Sequence, residues 1–187
     1  MHVFRWEEDE NKTGFDCGLS RDNIALTMGK LQGEEGVLVR VHSECLTSEV
    51  FGSLKCDCRK QLLEAQQTIS QAGKGVLLYL RQEGRGIGLA NKIRAYKLQS
   101  EGYDTVDANR RLGLPDDMRD YTSAAEMLKH LGVASIQLLT NNPLKLEAIK
   151  NCGVRAERKS IVCSTNIYSK SYLISKRDRM GHWLPTM

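Results

Sequence analysis

The chain lacks any apolar run near the roughly 20 residues that a membrane-spanning helix needs. Its first residues, MHVFRWEEDENK, lack the apolar core of a secretory signal. A cytoplasmic protein with no membrane partner is therefore expected. Proline is scarce at 3 residues and aromatics make up only 6%, while hydrophobic residues at 41% and charged ones at 27% are ordinary for a globular chain. Collagen-like and disordered classes are excluded. So are internal repeats and low-complexity linkers, which leaves one domain across residues 1–187. Charge of one sign is also in short supply. The net charge of +4 is small and interleaved, and no basic surface carries aromatics for stacking, so nucleic acid is not an expected partner. A local basic pocket for a phosphorylated small molecule remains compatible. A chain of 187 residues buries enough surface to fold without disulfides. The six cysteines, Cys17, Cys45, Cys56, Cys58, Cys152 and Cys163, should then be reduced, and a cluster among them points to metal or catalysis.

Periodicity alternates between strand and helix. Strands are expected at Asn23–Met28, from Val37 to Val41, from Val76 to Leu80, at Ile136–Leu139 and from Val154 to Glu157. The run from Glu7 to Lys12 reads as a polar loop. A helix after Cys58 places Leu62, Leu63, Gln66 and Ile69 at helical spacing and ends at Gly73. A second helix carries Leu89, Ile93, Tyr96 and Lys97 as its stripe and ends at Gly102. The stretch from Thr105 to Tyr121 has little apolar periodicity and reads as a long loop, a common place for function. Ser123 to Glu126 reads as a capping box opening a helix with Ala124, Met127, Leu128 and Leu131 inward. Asn142 caps a further helix with Pro143 at its first position and Leu146 and Ile149 inward. The fold class is α/β: a mixed, partly parallel sheet with packed helices in a single domain. Functional loops should gather after Val41, Leu80 and Leu139, at the carboxyl ends of the strands.

Two motifs carry chemistry. Cys45, Cys56 and Cys58 follow C-x10-C-x-C, soft thiolate ligands suited to zinc. Three protein ligands leave one position for water, the catalytic arrangement, whereas His42 as a fourth ligand would close the site as a structural one. Cys17, Cys152 and Cys163 read as small buried hydrophobes. The second motif is the loop Arg81 to Gly88, which follows a strand and opens a helix. Backbone N–H groups at such a turn favour an anion, and Arg81 and Arg85 add fork-shaped donors. Its spacing is neither a P-loop nor the dinucleotide fingerprint, and a basic but otherwise ordinary strand-to-helix turn remains the alternative.

Together, RVHSECLTSEVFGSLKCDC (Arg40–Cys58), YLRQEGRGIGLANKIRAY (Tyr79–Tyr96), DTVDANRRLGLPDDMRDYT (Asp104–Thr122) and LLTNNPLKLEAI (Leu138–Ile149) resemble GTP cyclohydrolase II. The match is weak over residues 1–35 and 159–187, apart from Met180-Gly-His182. The resemblance implies opening of the guanine imidazole ring of GTP at C8, with release of formate and pyrophosphate, as the entry to riboflavin synthesis. A relative that stops at a formamidopyrimidine or serves a specialised pathway is the alternative. The resemblance makes Cys45, Cys56 and Cys58 the ligands of one Zn2+ per subunit. It makes Arg40, Val41, His42, Ser43, Glu44, Gln61, Glu83, Gly84, Arg85, Thr105, Thr140 and Lys145 contacts to GTP. Within that set Glu83 suits the donor edge of guanine, and Arg40, Arg85 and Lys145 suit the triphosphate with its Mg2+. It makes Asp117 a proton acceptor, Arg119 a nucleophile or an electrostatic clamp at the α-phosphate, and Tyr96 a hydroxyl near the metal. A homodimer is expected, as is a monofunctional chain without the butanone-phosphate domain that many relatives carry. The chain departs from the family pattern at Ser48-Glu49, where Gly-Asp is common, and at Arg59, where Gly is usual.

Overall fold

The structure is a computed structural model and describes residues 1–4, 22–164 and 166–186. Along the chain the elements are β1 (His2–Phe4), β2 (Asn23–Met28), β3 (Val37–Ser43), α1 (Leu46–Glu49), α2 (Cys58–Ala72) and β4 (Gly75–Leu80). A 3-10 turn at Glu83–Gly86 leads to α3 (Gly88–Ser100), α4 (Thr105–Arg111), α5 (Thr122–His130), β5 (Ile136–Leu139), α6 (Pro143–Asn151), β6 (Ala156–Lys159) and α7 (Lys170–Met180). The expected polar loop from Glu7 to Lys12 and Cys17 lie outside the described residues.

The strands join in one six-stranded sheet of order β1-β2-β4-β3-β5-β6. β4, β3, β5 and β6 run parallel, and β2 and β1 extend one edge antiparallel. β3 sits centrally because both of its faces are apolar enough to be covered. Val37, Val39 and Val41 pack with Val76, Leu78, Ile136 and Leu138 beneath α5 and α6, where Ala124, Met127, Leu128 and Ile149 complete the larger core. Leu38 packs with Leu77, Leu139 and the α2 residues Ala65 and Ile69 on the other face. By strand alternation Arg40 and His42 share that second face, two polar side chains on an otherwise apolar strand.

From β3 the chain passes through α2 to β4 on one side, then crosses back to β5 on the other. The strand order therefore reverses at β3, the place where open α/β sheets leave a crevice at their carboxyl ends. The loops after Val41, Leu80 and Leu139 converge there, as the alternating pattern requires.

Several local expectations hold. Gly73 takes a left-handed φ of 68° at the end of α2. Asn142 accepts the Leu144 N–H at 3.0 Å, with Pro143 at the first helical position. Others are corrected. Thr105–Arg111 is a helix rather than loop, because the Asp104 carboxylate accepts the N–H groups of Val106 and Asp107, each at 2.8 Å. Ser123 and Glu126 form no capping box. Tyr121 stands at the cap position without a side-chain bond, the Asp120 carboxylate before it accepts from the Thr122 N–H and hydroxyl, and Glu126 pairs with Lys129 at 2.7 Å. Leu63, Leu89 and Ile93 are exposed, and α3 instead turns Lys92 and Ala95 inward. The last strand begins at Ala156, two residues later than its pattern implied. Cys152 and Cys163 are half-buried rather than core.

Gly75 opens β4 where any side chain would collide. An added Cβ would lie 2.7 Å from the Leu38 carbonyl oxygen and 2.8 Å from Ile69 Cγ2. Gly75→Ala should therefore lower stability by about 1–3 kcal/mol, read as an earlier urea midpoint with an unchanged slope. An unchanged midpoint would contradict the close approach of α2 to β4.

Candidate metal and anion site

Cys45 follows β3 and precedes the short α1, while Cys56 and Cys58 bracket Asp57 at the start of α2. Their three sulfurs lie within 4.8 Å of one another, and no other His, Cys, Asp or Glu joins them among the described residues. Cys45 Sγ and Cys56 Sγ are 3.6 Å apart. A tetrahedral zinc with ~2.3 Å bonds to sulfur requires about 3.8 Å between ligand sulfurs, so the cluster fits that ion. The neighbouring thiols, then Lys92, hold the Cys45 sulfur well below the ordinary thiol range. Lys92 Nζ lies 3.1 Å from Cys45 Sγ. His42 is not the fourth ligand. Its Nε2 is 2.7 Å from Glu49 Oε1, and its ring stacks on Tyr79, its neighbour in the parallel register. The His42 pKa is pushed down first by burial.

The departures from the family pattern make contacts of their own. Glu49 accepts the Tyr79 hydroxyl at 2.6 Å besides meeting His42. Ser48 Oγ accepts the backbone N–H of Arg59 at 3.3 Å, linking two altered positions.

Glu83 lines the recess beside the cysteine cluster and is also engaged within the protein. Its Oε2 accepts the Leu46 N–H at 2.7 Å, and its Oε1 accepts from Gly84 N–H and Lys92 Nζ, both at 2.7 Å. One carboxylate thus ties the cysteine loop to the glycine-rich loop. That loop is strained: Arg85 is the one non-glycine with positive φ among the described residues, at 62°. The Met118 N–H holds it by donating to the Arg85 carbonyl at 3.0 Å. Gly86 is required there, since a Cβ would meet Met118 backbone atoms at 3.0 Å.

Two adjoining recesses meet at Ser43, Cys58, Arg85, Arg119 and Tyr172. One contains the cysteine cluster with Glu44, Glu83, Gly84, Lys92, Tyr96 and Thr105. Tyr96 lies one turn beyond Lys92, its hydroxyl 3.4 Å from Thr47 Oγ1 and its pKa pushed up to about 12 by burial. Glu44 pairs with Arg81 at 3.1 Å. The other recess is cationic, lined by Arg40, His42, Gln61, Thr140, Lys145 and Lys176 besides the shared arginines. Arg40 donates to the Leu139 carbonyl at 2.8 Å and to Gln61 Oε1 at 2.6 Å. Lys145 Nζ donates to the Val41 carbonyl at 2.9 Å, which is how Val41 serves the site without lining it. The Lys145 pKa is pushed well down, first by burial and then by Arg40, Arg119 and Lys176. Thr140 Oγ1 accepts the Asn142 N–H at 3.0 Å. Asp117 stands behind Arg119, accepting its Nη2 at 2.5 Å and Nε at 2.8 Å. Burial raises the Asp117 pKa, but the hydrogen bond and charge of Arg119 outweigh it and hold the carboxyl low. Burial also opposes the Arg119 charge, and Asp117 more than restores it, so the guanidinium stays protonated.

Sequence reasoning missed Lys92, Asp57, Tyr172, Lys176 and the interior role of His182. Lys92 had a signal, four residues before Tyr96 on the same helix face. Met180-Gly-His182 was the only pointer to the C-terminal segment.

The sequence model of the family described as GTP cyclohydrolase II matches residues 1–160. A protein named GTP cyclohydrolase-2 from Shewanella amazonensis is 49% identical over 185 residues, covering 98% of this chain and 85% of that one. A second so named, from Aeromonas hydrophila, is 52% identical over 168 residues, 89% of this chain and 85% of its own. The riboflavin biosynthesis protein RibBA of Aquifex aeolicus is 54% identical over 163 residues. The chain spans only 40% of that relative's length, although 86% of the chain is aligned.

His182 offers a test of the packing around the cationic recess. Burial, then Lys176 and Arg119, push its pKa from 6.5 down to about 3. Between those values the unfolded chain binds a proton that the folded chain refuses, so stability is lost as pH falls from about 6.5 towards about 3. His182→Gln should give a shallower fall in urea midpoint across that window. Identical profiles for both proteins would place the ring outside the recess.

Proposed function

The chain belongs to the GTP cyclohydrolase II family, and we propose that it opens the imidazole ring of GTP at C8. Formate and pyrophosphate leave, and 2,5-diamino-6-(5-phosphoribosylamino)pyrimidin-4(3H)-one remains, the first step of riboflavin synthesis. One observation carries this reading: a three-thiolate cluster with no fourth protein ligand among the described residues adjoins a recess of five cationic side chains, Arg40, Arg85, Arg119, Lys145 and Lys176. That pairing suits a substrate with a hydrolysable ring at one end and several phosphates at the other.

Cys45, Cys56 and Cys58 would hold the zinc. When bound, such an ion supplies hydroxide from water near neutral pH. The remaining work falls to side chains. Lys92, held beside Cys45 by Glu83, neutralises thiolate charge. The Tyr96 hydroxyl is protonated in neutral solution, and burial raises its pKa further, so it donates to the opened ring or to water. Arg40 and Lys145 receive phosphates. Magnesium would arrive on the triphosphate, whose oxygens suit it.

Arg119 acts as a clamp on the α-phosphate. To attack as a nucleophile it would first have to lose its proton, which at pH 7 costs about 7 kcal/mol or more for an ordinary guanidinium. Pairing with Asp117 makes that loss harder still. Asp117 orients the guanidinium through two side-chain bonds and accepts the Arg119 backbone N–H at 3.0 Å. Arg119→Lys retains charge without the fork. A clamp predicts turnover reduced by about tenfold to a hundredfold, whereas complete loss with GTP binding retained would favour a covalent role.

The chemical test is product analysis. With zinc and magnesium the chain should convert GTP to formate and pyrophosphate in equal amounts, and chelation should abolish both. Cys45→Ser should lose the metal and ring opening together. Pyrophosphate without formate would mark an enzyme that stops at the formamidopyrimidine. Formate release by a demonstrably metal-free Cys45→Ser protein would overturn the assignment. A homodimer is part of the same reading and rests on the family alone.

A further inference from the structure

α7 lies wholly beyond the residues matched by the family's sequence model, yet it forms part of the cationic recess. Tyr172 and Lys176 line it from the helix, and His182 lines it from the segment just after. Arg179 fastens the helix from outside by pairing with Asp104 and Asp107 of α4, and the Trp183 N–H donates to the Asn141 carbonyl at 2.9 Å. The segment is therefore built into the site.

Lys176 has donors to spare. Its Nζ gives one hydrogen bond to Asp57 Oδ1 at 3.1 Å and lies 4.4 Å from the centroid of the Tyr172 ring. An ammonium carries three N–H donors. The recess around it contains buried donors without acceptors: Arg40 Nε and Arg85 Nη2 have no partner in the protein. Buried polar groups in native proteins are nearly always satisfied, so an orphaned pair in one recess calls for an absent acceptor. Charge says the same. Five cations share the recess, and the two carboxylates engaged with them, Asp57 and Asp117, leave an excess of positive charge.

The geometry points to Lys176 as a further substrate-binding residue, which with Arg40 and Lys145 receives the distal phosphates of a nucleoside triphosphate, the pair released as pyrophosphate. This rests on the reading that the substrate is a nucleoside triphosphate. It also assigns the C-terminal segment a discriminating task, since a monophosphate lacks the distal phosphates that these groups would receive. The competing role is purely positional: Lys176 would merely hold Asp57, and through it the spacing of Cys56 and Cys58.

The test uses the full chain, with zinc and after chelation, titrated calorimetrically with inorganic pyrophosphate and with GMP. The wild type should bind pyrophosphate. Lys176→Met should weaken that binding by about tenfold or more, Lys176→Arg should recover most of it, and GMP affinity should not change. Because Lys176→Met strands the buried Asp57 charge, the double variant Asp57→Asn/Lys176→Met, which removes both charges, keeps the test open if the single variant unfolds. The double variant should show the same loss. Pyrophosphate affinity equal to wild type in either folded variant overturns the proposal. So does a loss confined to the single variant, or a loss that tracks zinc content and disappears under chelation, either of which would make Lys176 a support for the metal loop. A wild type that binds pyrophosphate through Lys176 yet neither binds nor converts GTP would instead remove the functional reading and leave the anion contact in place.

Discussion

The Glu83 carboxylate is the point on which the site turns. It accepts from a backbone N–H in each of two loops and from the ammonium that touches the Cys45 sulfur. Lys92 is only 9% exposed, and a buried ammonium needs nearby negative charge to remain charged. Burial lowers its pKa, but the thiolate on one side and the carboxylate on the other more than reverse that. Three thiolates around a divalent cation would leave one negative charge in excess, and Lys92 is placed to cancel it. Glu83 is thus electrostatic partner and mechanical tie at once, and it joins the loops that follow β3 and β4 at the crevice.

The cationic recess is organised on the opposite logic. Its positive groups are each anchored on one side and left open on another. Arg40 is fixed by a carbonyl and an amide but keeps an unpaired Nε, and Lys145 is fixed by a single carbonyl. Burying them and crowding them together is costly without an anion: burial first, then the neighbouring cations, lowers the Lys145 pKa. The strained Arg85 backbone and the close Gly86–Met118 contact keep the glycine-rich loop pressed against the loop that carries Asp117 and Arg119. The protein's own contacts therefore fix the shape of the recess, which suits binding with little reorganisation.

The strands could be read from the sequence because β4 is a continuous apolar run and β3 a β-branched one interrupted only by Arg40 and His42, while the helix ending at Gly73 and the helix opened by Asn142 carry local end signals. The cysteine spacing was equally legible, since three soft ligands so close together have few other uses. What stayed hidden depended on long-range packing. The Leu89 and Ile93 stripe implied an apolar contact for α3, but the ligand loop drew Lys92 to the interior. α4 escaped notice because its end signal, Asp104, shares its carboxylate with Arg179 from the far end of the chain. Nothing local revealed that Glu83 would also accept the Leu46 N–H from another loop. Tyr172 and Lys176 sit on a helix with almost no apolar periodicity, and only its docking on the recess brings them together.

The separation of these partners along the chain has a kinetic consequence. Arg40 bonds to Leu139, and Lys176 bonds to Asp57, across gaps of 99 and 119 residues. Loop-closure entropy makes such contacts late and slow to form. During synthesis the cysteine cluster and its brace are contained within residues 45–92, whereas the wall of the cationic recess waits for α7 to leave the ribosome. A nascent chain would thus have its three clustered sulfurs in hand well before the cationic recess closes, so assembly runs from the cysteine cluster to the basic wall.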